Sequence, residues 1–370
     1  MGRPRLKVLY VSEGYTTHDR RFLQSFVAAG WRPYHLPLKP QRLDERDLPE
    51  GVREVMWPGD HDGTPAEHDR ELELRMILAD LKPDVVIAGP IQSGAYLAAR
   101  ADATPLVAVS WGSDVLVEAD ATRENGERTR FVFDRSALAF GDCRTVREAI
   151  KRHSDLDDSR ILTFPWGIDL TRFHPGESSL GIRERLSWTR SRVFISTRTW
   201  EPLYAIDVLL AAFHKVLEKD AEARLLLLGD GSLDKEIRGL IESLGISAAV
   251  HAPGRVSYEL LPDYFRESDV YVSSALSDGT SVSLLEAMAS GLPVVVTNSF
   301  GNLEWVTPGI NGALAEPGDV ESLANAMSSM ISGGRRAAIG ASNVELARAG
   351  ANWDANFTQL VTRVEEIATK

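Results

Sequence analysis

Short apolar runs recur along this chain at intervals that leave room for a helix between them, and no other feature restricts the possible folds so tightly. Residues 6–11, 85–88 and 106–109 form such runs in the first half, and residues 193–196, 224–228, 270–273 and 294–296 in the second. Their apolar side chains fall at successive positions rather than alternate ones, as in strands buried on both faces. Between them lie stretches of helical periodicity: 20–29, closed by Gly30 at a position that favours the left-handed conformation, then 93–101, 205–217, 234–244 and 260–266. Strand and helix in alternation build a parallel sheet covered on both sides, so the chain is of the α/β class.

The pattern runs twice. Residues 164–175 have Pro and Gly at both ends and little periodicity, and read as a connector. A chain of 370 residues also exceeds the roughly 250–300 at which single cores stop growing. Two Rossmann-like lobes facing each other across a cleft are expected. In the tail, Phe357, Leu360, Val361, Val364 and Ile367 follow helical spacing with no strand after them, which predicts a C-terminal helix packing back on the N-terminal lobe. The expected divisions are 1–168, 169–351 and 352–370.

The net charge of −12 is spread as −4 over residues 1–175 and −8 over residues 176–370, so neither half offers the basic footprint that nucleic acid needs. Arg123, Arg128, Arg130 and Arg135 interleave with Glu124 and Glu127 and read as a solvated helix face. The apolar runs are far too short to span a bilayer. The N-terminus lacks the long apolar region and small-residue cleavage site of a signal peptide. Cys143 is the single cysteine, which excludes an internal disulfide and suits a reducing compartment. The expected location is cytoplasmic, with at most a peripheral contact at the inner face of the membrane.

Residues 277–293 carry the strongest chemical signal. Asp278 and Gly279 lie in a polar turn, Thr280 and Ser281 are good helix-capping residues, Val282 opens a helix-forming run containing Glu286, and Gly291 to Pro293 break it before the next apolar strand. Backbone N–H groups after Gly279 at a helix start suit an anion, helped by the helix dipole. Two carboxylates near an anion site make sense as acceptors of hydrogen bonds from neutral hydroxyls, an arrangement that a sugar nucleotide presents. From spacing alone, Glu286 is equally a solvent-facing helix residue and Asp278 a turn former.

This stretch resembles the donor-site signature of retaining GT-B glycosyltransferases of family GT4, in which an acid is followed after seven residues by a Glu inside an L-E-A-M-A-x-G-x-P-V-V run. Other segments extend the resemblance: Pro165 to Asp169 with Arg172 to Pro175, Leu225 to Gly231, Pro253 to Val256, and Asn302 to Val306. The resemblance implies that Glu286 holds ribose hydroxyls, that Asp278, where the family usually has Glu, contacts the transferred sugar, and that Gly279, Thr280, Ser281 and Val282 cradle a diphosphate. Gly254 and Arg255 stand in the loop that flanks the base. Arg198 matches the arginine that pairs donor phosphates. The companion lysine is missing, and Tyr204 stands near its place as a packing residue or a phosphate contact.

In the first lobe, Gly14 and His18 occupy the loop that the family uses for its acceptor, and His18 reads either as an acceptor contact or as a solvated or capping residue. Ser110 to Val115 resembles an H-G-x-D-V segment, with Asp114 retained and Trp111 in place of the histidine, as a stacking face for a sugar or as core. The implied activity is transfer of a sugar from a nucleotide-diphosphate sugar, UDP- or GDP-linked, to a hydroxyl of a glycan, a lipid-linked or a small-molecule acceptor. Retention of anomeric configuration, no metal site and no cofactor beyond the co-substrate are implied with it. Two alternatives remain open here: a catalytically silent GT-B domain that binds a partner, and an inverting or epimerising enzyme, for which Asp19 and His18 are the nearby candidates.

Overall fold

The computed structural model describes residues 5–40, 42, 44, 46–59, 66–331 and 334–369, so the first four residues, read above for targeting signals, lie outside it. Contacts divide the chain into two units, Met1–Phe164 with Asp354–Lys370, and Pro165–Trp353.

Among the described residues the first unit holds seven strands: β1 (Lys7–Ser12), β2 (Arg32–Pro37), β3 (Arg53–Glu54), β4 (Val85–Ala88), β5 (Leu106–Val109), β6 (Leu138–Gly141) and β7 (Ile161–Thr163). All pair in parallel, in the order β3-β2-β1-β4-β5-β6-β7. Their faces are buried on both sides, as the continuous apolar runs require. Leu9 and Val11 join Val86, Ala88 and Leu106 in one core, while Tyr10 points the other way to rings of Phe22 and Phe26 at 5.9 and 5.8 Å. The C-terminal helix Trp353–Ala368 completes that second face, with Phe357 5.6 Å from both Phe22 and Phe26 and Glu365 accepting from Trp31 Nε1 at 3.3 Å.

The second unit holds β8 (Arg192–Ser196), β9 (Ala223–Leu228), β10 (Val250–Gly254), β11 (Val270–Ser273), β12 (Val294–Thr297) and β13 (Gly312–Ala315), parallel throughout, in the order β10-β9-β8-β11-β12-β13. Successive residues of β8 and β9 serve opposite cores: Phe194, Leu225 and Leu227 on one face, Val193, Ile195, Leu226 and Leu228 on the other. Helix Arg336–Gly350 is fastened to this unit by buried amides: Asn343 Nδ2 donates to the carbonyls of Leu292 and Asn311 at 2.8 and 2.9 Å.

Each sheet reverses its strand order once, between β1 and β4 and between β8 and β11. In open parallel sheets the crevice beyond the carboxyl ends of the two strands at such a reversal is where ligands bind. Arg198 and Asp278 follow β8 and β11; Gly14 and His18 follow β1.

Candidate functional site

In the second unit, helix Val282–Ala289 begins one turn after Asp278, capped by Ser281, whose Oγ accepts from the Leu284 N–H at 3.4 Å. This cap satisfies one amide and leaves the first turn of N–H groups facing the end of β11. Into the same space comes Arg198 from the end of β8. Its Nη2 stands 2.8 Å from Asp278 Oδ2, and its Nη1 donates to Ser281 Oγ at 2.7 Å and Ser283 Oγ at 3.1 Å. Tyr271 OH shares a hydrogen bond of 2.8 Å with Ser283 Oγ, and the Tyr204 ring lies under the guanidinium, 4.1 Å from its carbon.

The turn that carries Tyr204, Pro202–Tyr204, is stitched to the loop after β11: Leu276 N–H donates to Leu203 O and Ser274 Oγ to Tyr204 O, both at 2.8 Å. Two glycine contacts bring the loops this close. A Cβ at Gly229 would meet the Arg198 carbonyl at 2.5 Å, so the turn after β9 presses on the arginine's own backbone. At Gly301 a Cβ would stand well inside contact distance of the Gly279 carbonyl oxygen, which pins the loop of Asp278 and Gly279 from the far side.

The charges reinforce one another. Burial opposes the Arg198 charge, but Asp278, with Tyr204 and Tyr271 behind it, outweighs that and holds the guanidinium above its ordinary value. Burial pushes the Asp278 carboxyl up from the usual carboxylate range, with Arg198 pulling the other way. Ser196 Oγ, Thr197 Oγ1 and Arg198 Nε at the end of β8 are buried without a hydrogen-bond partner in the protein. Buried polar atoms without a protein partner at a strand reversal are free to bond a ligand there.

Of the residues expected from sequence, Arg198, Asp278, Ser281 and Tyr204 form one cluster, with Gly279 and Thr280 buried at its edge and Val282 beginning the helix. Glu286 lies one turn into that helix and is 5% exposed, which overturns its reading as a solvent-facing residue. Gly254 and Arg255 are at the end of β10, where exposed Arg255 pairs with Asp230 at 2.7 Å. Gly229, whose N–H donates to Gly254 O at 3.0 Å, is the link from that edge to Arg198. Sequence reasoning missed Ser283 and Tyr271; a hydroxyl on the second helical residue and a tyrosine inside an apolar strand leave no distinguishing mark.

In the first unit, His18 and Trp111 meet edge to face at 5.8 Å. Gly14 is buried in the loop after β1 and accepts from Ser12 Oγ at 2.7 Å, while Ser12 Oγ lies 2.9 Å from Nε2 of buried His35. Because Ser12 gives its one proton to Gly14, His35 Nε2 carries the hydrogen toward Ser12. Burial lowers the His35 pKa to about 4. Asp114 is fully committed to the fold: its carboxylate accepts from Ser110 Oγ at 2.6 Å and from the N–H groups of Ile91, Trp111 and Val115 at 3.0 to 3.1 Å. Asp19 is committed too. Its Oδ1 accepts from Tyr10 OH and its Oδ2 from Thr16 N and Oγ1, in the capping box of helix Thr17–Ala28, so both oxygens already serve the fold.

Among the described residues no group of three or more His, Cys, Asp or Glu side chains could hold a metal ion, and no helix is long and apolar enough to cross a membrane.

Two Rossmann-like units with parallel sheets and a phosphate-type helix start define the class, the GT-B fold. Anabaena HepE in complex with UDP-glucose superposes with a TM-score of 0.82 at 18% identity, over 98% of this chain and 100% of that one. Residues 182–345, within the second unit, match the family described as Glycosyl transferases group 1. D-inositol 3-phosphate glycosyltransferase of Rhodococcus jostii is 33% identical over 229 residues, 60% of this chain and 50% of that one. A GDP-mannose-dependent alpha-(1-6)-phosphatidylinositol monomannoside mannosyltransferase of Mycolicibacterium smegmatis is 25% identical over 301 residues, 76% of this chain and 73% of that one. The chain spans about half the length, or less, of the first curated relatives it matches.

Proposed function

We propose that this protein transfers a sugar from a nucleotide-diphosphate sugar to an acceptor hydroxyl with retention of anomeric configuration and without a metal ion. The observation that carries the reading is the cluster of Arg198, Asp278 and the Ser281-capped helix start at the β8/β11 reversal. There a cation, first-turn N–H groups and hydroxyls converge where a diphosphate leaving group would need stabilising. Glu286, buried on the same helix, takes the ribose hydroxyls, and Asp278 the sugar. Arg198 and the helix start supply the positive potential that a divalent ion supplies elsewhere.

In the proposed step the acceptor oxygen bonds to the anomeric carbon on the face from which the C–O bond to phosphate breaks. The acceptor's proton passes to the departing phosphate oxygen, so no protein base is required. This is consistent with Asp19 being consumed by its capping box. The acceptor is assigned to the first unit, at the loop of Gly14 and His18 with Trp111 as a flat face for a sugar ring. A cytoplasmic protein with at most peripheral membrane contact fits the same reading. UDP and GDP remain the two candidate nucleotides, since the solved relative above holds UDP-glucose and the Mycolicibacterium relative is named for GDP-mannose.

The test is a mass-spectrometric screen of sugar nucleotides followed by NMR of the product's anomeric proton. Retained configuration is expected; an inverted centre overturns the mechanism, and no turnover with any donor favours a silent binding domain.

A further inference from the structure

Arg198 is held from three sides, and only one of those contacts is ionic. Ser281 Oγ and Ser283 Oγ take its Nη1 at 2.7 and 3.1 Å, and the Tyr204 ring lies beneath it at 4.1 Å; all three are neutral. Its Nη2 meets Asp278 Oδ2 at 2.8 Å, with the two side chains 11% and 18% exposed. That oxygen makes no aligned hydrogen bond, and Arg198 Nε has no partner either. The pair is therefore close in charge but incomplete in geometry, unlike a bidentate arginine–carboxylate fork. The neutral contacts fix the guanidinium whether or not Asp278 stays.

Resting on the nucleotide-sugar reading, we infer that Asp278 is an internal counter-anion that the donor's diphosphate displaces from Arg198, and that this displacement turns the carboxylate toward the sugar. A diphosphate entering beside Arg198 meets a like charge at Asp278, and the repulsion between them is relieved when the carboxylate rotates away. The rotation is confined to the side chain, because the Gly279 backbone is pinned against Gly301. Arg198 then changes partners without moving. Free nucleoside diphosphate must do the work of this exchange without a sugar to receive Asp278, so the arrangement favours the intact donor over the spent nucleotide.

The reading makes Asp278 an antagonist of diphosphate binding, which a plain sugar contact is not. Isothermal titration with UDP, GDP and ADP on the wild type, Asp278→Asn and the double variant Asp278→Asn/Arg198→Gln tests it. The expected result is that Asp278→Asn binds the preferred diphosphate about tenfold more tightly than wild type while losing donor turnover, and that the gain vanishes in the double variant. Equal or weaker binding by Asp278→Asn, with wild type binding normally, overturns the exchange and leaves the nucleotide-sugar reading standing. No binding by any of the three proteins overturns both. A crystal structure of the wild type with the nucleotide that binds gives a second measure that does not depend on the variants folding. A separation of Asp278 Oδ2 from Arg198 Nη2 beyond about 4 Å is expected, and an intact pair overturns the inference.

Discussion

Asp114 and Asp278 each lie five residues past the end of a parallel strand, β5 in the first unit and β11 in the second, yet their carboxylates live differently. Asp114 accepts from Ser110 Oγ and three backbone N–H groups, so every lone pair it offers is spent on joining the loops after β4 and β5. Asp278 is paired with a buried arginine, with the Ser281 hydroxyl and the Gly279 N–H also acting on its carboxyl, and its Oδ2 has no aligned donor. Burial raises both carboxyls above the ordinary range, and hydrogen bonds at Asp114 and Arg198 at Asp278 pull each back. One acid is consumed by the architecture; the other is left available for chemistry. Residue type and position in the loop do not separate them. The partner does: neutral donors alone for Asp114, a guanidinium for Asp278.

Removing each acid should split the two cases. Asp114→Ala leaves four donors without an acceptor and is expected to cost about 4 kcal/mol of the first unit's stability in urea unfolding, with nucleotide affinity at the second unit unchanged. Asp278→Ala should do the reverse, abolishing donor turnover at little cost in stability. If both variants lose stability equally, the distinction fails.

Acid should also find the first unit before the second. Neutral His35 lies buried between Ser12 and the rings of Tyr10 and Tyr15, with its pKa lowered to about 4. The unfolded chain binds a proton there near pH 6.5 and the folded chain does not until about 4. Stability from this group is therefore complete above 6.5, falls as the pH drops between those values, and is flat below; the total loss is about 3 kcal/mol. His35→Gln should flatten that slope in melts recorded from pH 7 to 4.

Gly301→Ala sharpens the second unit's side of the contrast. A methyl group forced against the Gly279 carbonyl displaces the loop that carries Asp278, and a misplacement near 1 Å lowers donor turnover about a hundredfold. The fold should survive, as seen by circular dichroism. The smallest expected effect belongs to Tyr204. Tyr204→Ala removes the ring under Arg198 and should weaken nucleoside-diphosphate binding by about tenfold, whereas Tyr204→Phe, which keeps the ring, should leave it close to wild type.

Much of this was legible in sequence because its causes are local. Strands buried on both faces must be runs of apolar residues, and a helix that starts at a Ser cap after Asp-Gly marks a candidate anion site within a few positions. Arg198 was singled out because it follows such a run at the place where the resembled family has its phosphate-pairing arginine. What stayed hidden depends on contacts between distant segments. Gly301 meets Gly279 from 22 residues away, Ser283 and Tyr271 bond to each other and join the site only where Arg198 reaches Ser283, and the donors that occupy Asp114 come from two different loops. Glu286 read as ambiguous because helical spacing does not tell which face a neighbouring loop covers. The two-residue β3 and the short β7 carry too few residues to show any pattern.

The claim on which the rest depends is that the second unit's cluster holds a sugar nucleotide. The most direct measurement is turnover of a panel of sugar nucleotides by mass spectrometry, comparing the wild type with Glu286→Ala. At least one donor should be consumed by the wild type and spared by the variant. A panel left intact by both proteins, or consumed equally by both, would contradict the account.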